Sequence, residues 1–156
     1  MNLMATSKSS ATASLANLEE TLNGYFVKKA PFQLPMGVKE FIVSFGPWLM
    51  LVMLVLSLPF VLAAIGLGAF LAPFAILGGA NAAALTVGTV FSLVALVLEA
   101  MALPGLFKRK KSGWTLLFYS SLVSVVGSLV AFNLFGAVLN AVIGWYFIFQ
   151  VRSMYK

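Results

Sequence analysis

Glu99 is the one ionisable residue inside a long apolar run, so any chemistry at membrane depth starts from its carboxylate. A charged side chain there is costly and marks a functional candidate by default. Thr86, Thr89, Ser92 and Glu99 fall roughly along one side of a helix, a spacing that sketches a proton or cation route. A second polar series, Ser120, Ser124 and Ser128 at four-residue intervals, is followed on the next segment by Asn140. It outlines either a polar path or a packing ridge in which Asn140 faces Ser124 or Ser128. A structural role competes for Glu99. It lies five residues before Pro104, about 7 Å of helix rise, where it can reach headgroup water or pair with Arg109 or Arg152.

The remaining composition excludes more than it offers. With no Cys and no His, the chain has no disulfide, no thiolate ligand and no imidazole base. Asp is absent too, no second intramembrane acid offers a dyad, and every Lys lies outside the apolar runs. The sequence therefore reads as a non-enzyme without a catalytic or metal site. The cofactor question stays open only to the extent that backbone or Asn ligation of a pigment needs neither His nor Cys.

The charges that frame these residues define the architecture. The ten cations fall into three clusters: Lys8, Lys28, Lys29 and Lys39; Lys108, Arg109, Lys110 and Lys111; Arg152 and Lys156. Between them, Phe41 to Leu98 and Ser112 to Val151 carry no charge. Each run is long enough for two bilayer crossings. The expected fold is all-α, a polytopic membrane protein with four transmembrane helices as two hairpins, preceded by amphipathic interfacial helices. Crossings are expected at about 47–67, 82–103, 113–131 and 136–151, in a domain spanning 47–156. Pro47 is expected in a first helical turn, Pro59 at a kink, and residues 66–81 in the outer turn. Small residues at Ala80, Ala84, Gly88 and Ser92 on the second crossing, and at Gly136 and Gly144 on the fourth, form flat ridges for close packing.

Ahead of the crossings, residues 1–13 read as a flexible tail. Leu15, Leu18, Leu22 and Phe26 then recur at helical spacing after a possible Ser14 cap. Pro31 and Pro35 force an extended connector, and a second amphipathic turn carries Val38, Phe41, Ile42 and Phe45. Residues 14–46 thus either lie in the headgroup region or pack on the ends of the bundle.

Four crossings put all ten cations on one side, and the positive-inside rule places both termini in the cytoplasm. The net charge of +6 then belongs to anionic phospholipids of the cytoplasmic leaflet, not to nucleic acid. Lys108, Arg109, Lys110 and Lys111 are candidate lipid contacts, with a role as topology determinant sufficient to explain them.

The run Lys28-Lys29-Ala30-Pro31-Phe32-Gln33-Leu34-Pro35, followed by Lys39-Glu40-Phe41 and Pro47-Trp48-Leu49, resembles a group of small bacterial four-helix membrane proteins with no assigned activity. The likeness extends through Gly113-Trp114, Leu117-Phe118-Tyr119 and Gln150-Val151-Arg152 with Tyr155-Lys156. It implies a bacterial inner membrane or a thylakoid-like one, and carries over no catalytic residue. Three functional expectations follow: a structural or accessory subunit of a larger membrane assembly, bound to a membrane-protein partner or to copies of itself; an oligomeric channel or small transporter using Glu99; and a lipid-binding or membrane-shaping protein.

Overall fold

The computed structural model describes residues 3–79 and 82–156 and, within its helices, every side chain except those of residues 3–9, 64, 72, 75 and 82–86. The expectations placed on Ala80, Ala84 and Thr86 lie outside what is described. All secondary structure among the described residues is helical, and four helices are long and apolar enough to cross a membrane.

Helix α1 runs from Leu3 to Asn23, so the segment expected as a tail is helical from Leu3 onward. Ser14 does not cap it: its hydroxyl donates to the Ser10 carbonyl at 2.9 Å, a bond made inside a helix. A π-helical turn, Gly24–Lys28, closes α1, and an extended connector leads to Pro35.

Helix α2, Met36–Leu77, is 42 residues long. At 1.5 Å per residue that is about 63 Å, roughly twice the hydrocarbon thickness of a bilayer. The helix starts just after Pro35 and passes through Pro47, Pro59 and Pro73, so Pro47 is an interior residue and not the first-turn residue expected. In lipid, a continuous helix is the economical way to satisfy the backbone, and prolines are tolerated where neighbours compensate. The Ser57 hydroxyl donates to Leu54 O at 2.8 Å in the turn that Pro59 loosens. The turn after α2 is correspondingly shorter than the 66–81 stretch expected. Helix persists to Leu77, and Gly79 then adopts φ +89°, a conformation glycine enters without steric cost.

Helix α3, Ala82–Phe107, continues through Pro104, and α4, Lys111–Val130, follows after a three-residue loop in which Arg109 has φ +52°. The last crossing is segmented. Helix α5 (Leu134–Leu139) is capped by Asn133, whose Oδ1 accepts the Gly136 N–H at 2.9 Å. A π-helical turn, Asn140–Gly144, joins it to α6 (Trp145–Gln150), and a 3₁₀ turn, Arg152–Met154, ends the fold.

Packing is most extensive between α3 and α4. Next to the 108–110 loop their backbones touch: a Cβ on Gly105 would stand 2.6 Å from Gly113 Cα. Further along, a Cβ on Gly127 would stand 2.7 Å from Phe91 Cβ. The core lies at this loop's end of the bundle, the basic end. There Trp114, Phe118 and Phe149 are buried with Val43, Ala102, Leu106, Val151 and Tyr155. Leu22, Phe26 and Val27 pack onto it. Phe26 stacks on Phe149 with centroids 6.1 Å apart and meets Trp145 edge-on at 6.4 Å.

Candidate functional site

Glu99 and Ser120 face each other across the α3/α4 contact. The fully buried Ser120 hydroxyl lies 3.1 Å from both Glu99 Oε1 and the Ala95 carbonyl. The expected pairing of Glu99 with Arg109 or Arg152 is not what forms. Arg109 is held by Glu40 and, at 3.0 Å, by Ser44 Oγ on α2. Arg152 directs two nitrogens at Glu19 Oε1, with Nε at 3.1 Å. Both arginines are thus consumed in tying α1 and α2 to the basic end. Glu99, further along α3, becomes a hydrogen-bonded clamp between α3 and α4. Along the sketched route, Ser92 donates its hydroxyl back to Gly88 O at 2.9 Å, a bond within its own helix.

Asn140 also finds a partner other than Ser124 or Ser128. Its Oδ1 accepts from Ser121 Oγ at 3.3 Å, and that hydroxyl accepts from Trp145 Nε1 at 2.8 Å. The π-helical turn brings Asn140 and Trp145 onto the same serine, and such turns frequently mark special sites in helices. Ser124 and Ser128 instead face α3, lining a crevice of about 270 Å³ with Ser92, Gly127 and Asn133. Glu99, Asn140 and the Ser124–Ser128 pair therefore stand in three separate places. Among the described residues no three acids converge to hold a metal ion.

The basic loop divides as well. Lys108 and Lys110 are exposed, and Arg109 is paired. Lys111 lines a cavity with Lys39, Arg152 and Tyr155. Burial pushes the Tyr155 phenol above its ordinary range, against the pull of Arg109, so it stands in that wall as a neutral hydroxyl. Gln150, the one glutamine of the second uncharged run, is fully buried. Its Nε2 donates to Phe26 O of the π-helical turn at 3.0 Å, and its Oε1 accepts the Leu34 N–H at 3.4 Å, stapling that turn and the connector to α6. An amide in an apolar run is a sequence signal for such a staple; the pairing of Glu19 with Arg152 leaves none.

A groove of about 770 Å³ lies between α2 and α3. Met53, Leu56, Phe60 and Val61 form one wall, and Gly88, Thr89, Ser92 and Leu93 the other. It lies away from the aromatic core, where α2 leaves its apolar side chains exposed; Phe60 is 76% accessible and Phe70 71%.

Comparison with protein-family models, curated proteins and solved structures gave no match.

Proposed function

We propose that this chain is an integral membrane subunit with a structural or accessory role, whose α2/α3 groove receives a transmembrane helix of a partner protein. The observation that carries the reading is the groove itself. One wall is aliphatic and aromatic, and the other presents Gly88 and Ser92. A Cβ built at Gly88 meets nothing within 4 Å. Helices associate in lipid by close packing against small residues, because burying leucine from lipid yields no hydrophobic gain. A small-residue wall left empty by its own fold fits a visiting helix.

In this reading α2 pairs with α3 as one hairpin and α4 with the last crossing as the other. The basic end faces the cytoplasm of a bacterial or thylakoid-like membrane, with both termini there, on the strength of the one-sided cations. The likeness to small bacterial four-helix membrane proteins is part of the proposal and not a support for it.

A photo-crosslinking residue at Met53, introduced in native membranes, tests the assignment. The expected product is a single adduct with another membrane polypeptide, lost when Gly88→Leu fills the groove. Lipid adducts alone, or a polypeptide adduct indifferent to Gly88→Leu, would overturn it.

A further inference from the structure

Three cations from three separate elements converge at the basic end: Lys39 from α2, Lys111 from the start of α4, and Arg152 from the turn after α6. They line a cavity of about 340 Å³ whose wall also carries Asn23, Ser153 and Tyr155. Arg152 is fixed there. Its guanidinium is hydrogen-bonded to Glu19 and sits 5.4 Å from the ring centroid of buried Trp114. Glu19 neutralises one of the three charges. Lys39 and Lys111 have no ion-pair partner among the described residues.

Like charges gathered around one cavity repel, and the repulsion is relieved when an anion enters. The donors determine which anion. Three cations approaching from different elements suit a tetrahedral group with three or more acceptor oxygens better than a planar carboxylate with two. The hydroxyls of Ser153 and Tyr155 and the Asn23 amide add neutral donors. The backbone contributes less, because the Lys111 N–H is already taken by Lys156 O at 2.7 Å. We propose that this cavity binds a phosphate ester or phosphate ion, with Lys39, Lys111 and Arg152 as its ligands. The site is independent of whatever fills the α2/α3 groove.

The group can arrive on a phospholipid headgroup or free in solution, and two titrations of the detergent-purified full chain separate the sources. One follows phosphatidylglycerol adducts by native mass spectrometry, and the other inorganic phosphate by calorimetry against chloride of matched ionic strength. The double variant K39Q/K111Q is expected to weaken whichever ligand binds by roughly thirtyfold, from about 1 kcal/mol per cation. K108Q/K110Q removes the same charge from exposed positions outside the cavity and is expected to leave binding nearly unchanged. Phosphatidylglycerol binding without phosphate binding identifies the lipid as the source; phosphate binding identifies the free ion. Neither ligand binding, or equal losses in the two double variants, would sink the proposal. Thermal melting of both variants alongside the parent guards against misfolding, and neither pair of lysines has an ion-pair partner among the described residues to lose.

Discussion

The two ends of this bundle are built on different terms. At the basic end, Trp114, Phe118 and Phe149 interlock, and two ion pairs and the Gln150 staple bind α1, the connector and α2 to the rest. At the other end, α2 stands away from α3 and a 770 Å³ groove separates them. A water-soluble protein would not tolerate the second arrangement. In lipid the tails solvate Phe60 and Phe70 as well as a protein core does, so a gap there costs little. Order in such a molecule therefore concentrates where polar groups and close backbone contacts demand it, and apolar surface is left to be filled from outside.

The glycines measure that contrast most directly. Gly105 and Gly113 touch backbone to backbone, and neither atom set can move aside as a flexible side chain would. Gly113→Ala is accordingly expected to cost about 3 kcal/mol or more by overpacking. Reversible unfolding in mixed micelles measures it. A cost under about 1 kcal/mol would mean that α3 and α4 can separate freely, and that the basic end is no tighter than the other.

The ion pair between Glu19 and Arg152 tests the same end at a smaller scale. Its side chains are 16% and 29% exposed, so water screens it only in part. Glu19→Gln retains one acceptor but removes the charge, and an expected loss of about 1–2 kcal/mol lies between exposed and buried pairs. Because the pair holds α1, the loss should appear first as faster proteolysis around Gly24–Lys28, before the crossings unfold. Unchanged cleavage there would assign the docking of α1 to Phe26 and Gln150 alone.

The same contrast explains what the sequence alone could convey. Four helices long and apolar enough to cross a membrane were legible, because hydropathy and length are properties of a single segment. The course of α2 was not legible. Pro47 and Pro73 read as a helix start and a loop, whereas both lie inside α2. In lipid the helix goes on. The polar contacts were also hidden, for a different reason. Residues at four-residue spacing share a face, which joined Ser124, Ser128 and Asn140 on paper. Which serine meets the asparagine depends on the rotation introduced by the π-helical turn at 140–144, and no periodicity in the chain announces it. Glu40 and Glu19 take up Arg109 and Arg152, the two arginines that were open to Glu99.

Gly88→Leu sharpens the comparison because it should do almost nothing to stability. The site belongs to a helical glycine facing open space, and leucine is favoured over glycine in a helix interior by somewhat under 1 kcal/mol. The added side chain enters the groove beside Met53 and Phe60 without displacing anything from the fold. A stability equal to the parent, or slightly above it, is expected in the same micelle assay that detects Gly113→Ala. If Gly88→Leu were instead as damaging as Gly113→Ala, α2 and α3 would have to close against each other in the bilayer. The groove would then be internal packing space, leaving no wall on which a partner helix could rest.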